Sequence, residues 1–270
     1  MKTLKLFFTC ILLAVAVSIS AQDTYRTALK NYASANPSLQ AFSSDRMKPL
    51  LSMLSNQLLT GESLEKSEEL TDRYLKEQFF DDIIDMMLPS MKEHVSEAEL
   101  KELTTIISTP EGKSFAQNNM KWESGMEEDL TDFMGKAASI INGGTPEPIQ
   151  VNGNISKSYE KKFRTFIESS NQLELFKKGL NLGSQNQLPQ QVVDWVMENA
   201  PNYFINTGYG ILSEADLDYG IKLSANSSYQ NALKAAMSLS DDAMSVGMKL
   251  VTNYTTWLKA QGASVVDLPF

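Results

Sequence analysis

The sequence predicts an all-α protein built from two related, bundle-like multi-helix units. Three observations carry that expectation. Apolar residues recur at helical spacing through most of the chain. Capping signals and Pro or Gly breaks divide it into pieces of ordinary helix length. A stretch around Ser96–Leu100 also returns in degenerate form at Ser213–Leu217, the mark of an internal duplication.

Residues 1–21 read as a secretory signal peptide. Lys2 and Lys5 give the positive start, Leu6–Val17 the apolar centre and Ser18–Ala21 the small-residue cleavage region. Cys10, the sole cysteine, falls within it, so the exported chain is expected to hold neither thiol nor disulfide. Without Lys2 and Lys5 the balance is 22 basic against 33 acidic residues, or −11. Nucleic acid is a poor partner for such a chain. No later run of about eighteen apolar residues exists, so no membrane span is expected in the mature chain. The expected localisation is exported, either periplasmic or secreted.

The first unit is expected over residues 22–141. Gln22–Asn36 reads as a short helix through Tyr25, Leu29 and Tyr32, broken at Pro37. Met47–Leu59 carries the stripe Leu50, Leu51, Leu54 and Leu58 and stops at Thr60-Gly61, with Ser63 available to cap the next helix. Leu64–His94 reads as the longest helix, with Pro89 kinking or breaking it. Ser96 and Glu99 then form a capping box, ahead of Leu100, Leu103, Ile106 and Ile107. Thr109 is the next N-cap, with Pro110 at the first helical position and Glu111 at the positive end of the dipole. Gly112 lets another group approach closely. The helix runs towards Ile141 and buries Phe115, Trp122, Met126 and Phe133.

Residues 142–154, NGGTPEPIQVNGN, read as the linker between units. The second, diverged unit is expected over 155–270. It opens with a helix through Tyr159, Phe163, Phe166 and Ile167, then a short segment ending at Gly179–Gly183. Pro189 starts a helix through Val192, Val193, Trp195 and Val196. Pro201 is expected to interrupt it and Asn206–Gly210 to form a loop. Ser213 and Asp216 form the second capping box. A helix from about Tyr229 carries Leu233 and Met237, and a last helix from Asp241 towards Gln261 places Met244, Met248, Val251 and Leu258 on one face. Gln78, Asp82 and Pro89 match Gln190, Asp194 and Pro201 at one constant offset, which supports the duplication.

The run LPSMKEHVSEAELKELTTIISTPEGK resembles the DUF2059 family of exported bacterial proteins. Ser96, Glu99 and Leu100 match that family's capped helix start. Ser108, Thr109, Pro110, Gly112 and Lys113 match its Ser/Thr-Pro-x-Gly restart and nearby lysine. Ile106-Ile107 stands where the family commonly has an aromatic pair. The match is strong over about 70–126, and the second half looks like a diverged copy. Leader style and two-copy layout suggest a Bacteroidota member. The resemblance implies an all-α envelope protein and brings no established activity, cofactor or catalytic residue.

Candidate chemistry is sparse, and no catalytic or cofactor-binding residue is assigned. His94 is the only histidine and no nucleophile motif accompanies it. Glu77, Asp81 and Asp85 lie on successive helical turns with Asp82 beside them, and Asp81 and Asp85 are the carboxylate metal candidates; a solvated polar face explains them more simply. Met86, Met87 and Met91 cluster, but without His or Cys they read as core. STPEGK permits an anion site at a helix start, although each residue already has a capping role. Trp195, Tyr203, Phe204 and Tyr209 form the candidate interaction surface, against the plainer reading of a core aromatic cluster. The expected function is a non-enzymatic envelope protein that binds a protein or an apolar small ligand through helical faces. A carboxylate-based periplasmic hydrolase, or other enzyme, is the alternative; a purely structural protein is the third possibility.

Overall fold

The computed structural model describes residues 24–37, 47–183, 188–241 and 243–266; the leader expected at 1–21 lies outside them. The described chain is all-helical, with a single isolated bridge pairing Leu59 and Val265. In order it forms α1 (24–35), α2 (Met47–Leu58), α3 (Glu62–Glu65), α4 (Ser67–Glu77), α5 (Phe79–His94), α6 (Glu97–Ser108) and α7 (Pro110–Ala138). A 3-10 turn (Ser139–Asn142) comes next, then α8 (Lys157–Ser169), α9 (Gln172–Gly183), α10 (Gln190–Gly208), α11 (Glu214–Ser224), α12 (Ser227–Asp241) and α13 (Ala243–Ala260). None of these helices is long and apolar enough to cross a membrane.

Contacts divide the described residues into two compact units, 24–105 with 234–266, and 106–233. The division expected at residues 142–154 does not coincide with this one. Two physical facts explain the difference. The Gly/Pro segment is docked onto α10, and the last helix completes the first unit's core.

In the first unit that core includes Leu51, Leu58, Tyr74, Phe79, Met86, Leu250, Tyr254 and Leu258, all buried. The buried stripe of α13 is therefore Leu250, Tyr254 and Leu258, while Met248 of the expected face is 51% exposed. The hydroxyls of Ser55, Thr71 and Tyr254 join α2, α4 and α13: Ser55 Oγ lies 2.8 Å from Thr71 Oγ1, and Tyr254 Oη bonds both. Three hydroxyls that satisfy one another can be buried without the desolvation cost of lone ones. After α13 the chain returns to α2, where Thr60 N donates to Ser264 O (3.0 Å) and Val266 N to Leu58 O (2.8 Å).

The long helix expected over 64–94 is three helices, and its main break is Gln78 (φ −130°), not Pro89. Pro89 lies inside α5, which continues to His94. Ser63 caps nothing; it sits in α3, which starts at Gly61 without a side-chain cap, and its Oγ accepts from Ser264 N. Likewise α10 runs through Pro201 to Gly208, so the loop expected at 206–210 begins only at Tyr209. An interior proline costs about 3 kcal/mol. Burial of Met86 and Met91 around Pro89, and of Ala200, Tyr203, Phe204 and Ile205 around Pro201, offsets it at about 1.5–3 kcal/mol per large side chain.

The second unit packs α7 with α10 and α11, and α8 with α10 and α11. Its centre is aromatic. Trp122 meets Phe163 edge-on at 5.4 Å and Phe204 edge-on at 5.9 Å. Gly220 makes close packing possible, since a Cβ there would stand 2.5 Å from the Phe166 ring.

Candidate functional site

The junction of α6 and α7 shapes a recess in the second unit. Thr109 has extended backbone (φ −64°, ψ 156°) and its Oγ1 accepts from Gly112 N at 3.0 Å, the expected N-cap, with Pro110 starting the helix. The same hydroxyl donates to Ile106 O at 2.8 Å. From α11, Tyr219 Oη donates to that carbonyl at 3.0 Å. Gly112 is buried between them: a Cβ there would lie 2.6 Å from Ile106 O and 2.7 Å from Tyr219 Oη. The close approach expected at Gly112 is thus made by Tyr219.

Beside this junction lies a cleft of about 330 Å³ lined by Ile106, Thr109, Glu111, Tyr219, Lys222, Leu223 and Asn226. Ile106, Leu223 and the Tyr219 ring supply an apolar surface, and Lys222 and Glu111 are exposed. Asn226 closes the far end as the N-cap of α12, its Oδ1 accepting from Tyr229 N at 3.0 Å. The volume is at the lower end of the range for small-ligand sites. Lys113, the lysine of the anion-site reading, does not line the cleft, and Gly112 N already serves Thr109.

Both capping boxes form. Ser96 N donates to Glu99 Oε2 (2.7 Å) and Glu99 N to Ser96 Oγ (3.3 Å). Ser213 N donates to Asp216 Oδ2 (2.9 Å) and Asp216 N to Ser213 Oγ (3.1 Å). Asp216 is buried and takes a further hydrogen bond from Asn118 Nδ2 at 3.1 Å.

The metal candidates Asp81 and Asp85 face cations of α1. Lys30 Nζ is 2.7 Å from Asp81, and Arg26 bridges to Asp85 (2.7 Å) and Asp81 (3.4 Å). The hydrogen bond from Lys30 holds the Asp81 carboxyl below its usual range, with both cations adding attraction. Among the described residues no three His, Cys, Asp or Glu side chains gather as a metal site would require.

The four-residue aromatic surface needs correction. Tyr203 and Phe204 are 6% and 1% exposed. Tyr203 stacks on Phe133 at 4.4 Å and donates to Met126 O; Phe204 packs on Trp122. Trp195 is half-buried beside Phe133, its buried Nε1 without a hydrogen-bond partner among the described residues. Of the four, only Tyr209 is exposed, at 41%. The others sit on the inward face of α10 because that helix packs on both α7 and α8.

Two features escaped the sequence. Tyr219, Lys222, Leu223 and Asn226 reach the cleft from a region read only as a repeat. Asn199, Asn202 and Asn206 share a face of α10, and their spacing of three and four was the one available signal. No family model, curated protein or solved structure matches the chain.

Proposed function

We propose that the chain is an exported, non-catalytic envelope protein that binds a small ligand with an apolar body and a polar head in the Ile106–Leu223 cleft. The cleft itself carries this reading: it joins apolar walls to Lys222, Glu111, Thr109 and Asn226 in a ligand-sized space. Two of its polar lining residues, Thr109 and Glu111, belong to the Thr109-Pro110-Glu111-Gly112 run that resembles DUF2059. A duplicated origin of the helices is part of the proposal. Gln78 Nε2 bonds Asp82 (2.9 Å) as Gln190 Nε2 bonds Asp194 (2.7 Å), each at the start of a proline-bearing helix that leads to a capping box.

The test is methyl NMR with decanoate as probe, alongside native mass spectrometry of protein taken from its own cell envelope. Saturable shifts at the Ile106 and Leu223 methyls are expected, with the Leu223 shift lost in Ile106→Trp. Shifts confined to other methyls, or none with decanoate and no co-purifying mass, would overturn the assignment.

A further inference from the structure

A segment with no helix or turn, residues 144–152, lies against α10 and is held there through its backbone. Ile149 N donates to Asn199 Oδ1 at 2.7 Å, and Asn202 Nδ2 donates to Ile149 O at 2.7 Å. One turn on, Asn206 takes both ends of the next stretch: its Nδ2 donates to Gln150 O (2.8 Å) and its Oδ1 accepts from Asn152 N (2.9 Å). Pro146 and Pro148 bias the residues before them to extended backbone, which leaves peptide groups open to side chains.

Two of the asparagines are oriented in advance by bonds that do not involve the segment. Arg164 Nη2 donates to Asn202 Oδ1 at 2.6 Å; because arginine can only donate, Asn202 must present its NH₂ to the Ile149 carbonyl. Arg164 is itself held by Glu160 at 2.9 Å. Asn199 is 3% exposed and donates to Trp195 O at 2.8 Å, which turns its oxygen to the Ile149 N–H. Preorganised groups lose little entropy on binding. All four bonds read backbone, so side-chain selection falls to Ile149 and Val151, both packed against the core, while Glu147, Pro148 and Gln150 are exposed.

We propose that the asparagine face of α10 is a peptide-binding groove for an extended backbone with an apolar-x-apolar triplet. Residues 146–152 are its resident occupant, and an extended segment of a partner protein binds by displacing them. The segment is suited to release. Gly143, left-handed at φ 79°, precedes it, Gly153 comes after it, and few of its side chains are buried. An open groove beside it, lined by Thr131, Asp132, Gly135 and Lys136 of α7, gives an incoming chain room. This surface is independent of the Ile106–Leu223 cleft.

The experiment uses the full chain with residues 146–151 replaced by Gly and Ser, and a fluorescein-labelled peptide TPEPIQVN followed by anisotropy. Saturable binding is expected, weakened about tenfold by each of Asn202→Ala and Asn206→Ala, the equivalent of one to two lost hydrogen bonds. The unaltered chain binds the peptide more weakly, because its own segment competes at an effective concentration of order mM. No saturable binding to the folded variant, or binding indifferent to the asparagine changes, overturns the proposal. Should the replaced chain not fold, hydrogen exchange on the intact protein decides. Ile149 and Asn152 amides exchanging at least tenfold faster than those of Phe204 and Ile205 support a releasable segment. Equal protection rules it out.

Discussion

At the scale of residues, the junction of α6 and α7 turns on one carbonyl. Ile106 O accepts from Thr109 Oγ1 and Tyr219 Oη, and Gly112 leaves the space for the tyrosine. Adding one methyl there forces backbone or ring to move, which costs about 1–3 kcal/mol. Gly112→Ala is therefore expected to lower unfolding stability by that amount in urea denaturation, and Tyr219→Phe by about 1 kcal/mol, the worth of one hydrogen bond. Equal stability of Gly112→Ala and the parent would show that the contact relaxes freely. Gly112 was legible as a point of close approach from its place in a first helical turn. Its partner stands 113 residues from the bonded carbonyl, and nothing local announces it.

At the scale of elements, the two capping boxes look alike in sequence and differ in setting. Glu99 is partly exposed, whereas Asp216 is 7% exposed and also held by Asn118. Loss of a serine cap costs about 0.5–2 kcal/mol. Ser96→Ala is expected near the lower end, since water can replace the hydroxyl. Ser213→Ala is expected near the upper end, because it removes a donor from a buried carboxylate. Thermal melts of the two variants check the order, and a larger loss for Ser96→Ala would contradict it. Prolines teach the complementary point. Pro89 and Pro201 looked like breaks, yet the packed faces around them keep each helix whole.

At the scale of the whole molecule, each unit buries a tyrosine whose ionisation opposes folding. Burial, then the negative charge of Glu99, pushes Tyr25 up to about 12; burial, then Asp129, pushes Tyr203 up to about 12. A folded-state value raised above the unfolded one, about 10, means that the neutral form is favoured in the fold. The resulting stabilisation is complete below about pH 10 and is lost as pH rises towards 12. Urea midpoints are thus expected to fall over that window, and the fall should be shallower in Tyr25→Phe. Midpoints constant from pH 9 to 12 would refute this. The Asp81 carboxyl has the opposite sign: lowered by Lys30 and Arg26, its contribution holds above the ordinary carboxylate range and fades in acid.

What the sequence determined alone is what local chemistry can write. The helical class, the caps at Ser96, Thr109 and Ser213, and the buried faces through Phe115, Trp122, Phe163 and Phe166 depend on spacing within one or two turns. The tertiary structure alone decided three things: that Tyr203 and Phe204 are core, that residues 144–152 are docked on three asparagines, and that the last helix joins α2 and α4. Each rests on partners far along the chain, such as Ser55 and Tyr254, 199 residues apart. An apolar or polar residue records only that it wants a partner; which one it meets is set when the helices pack.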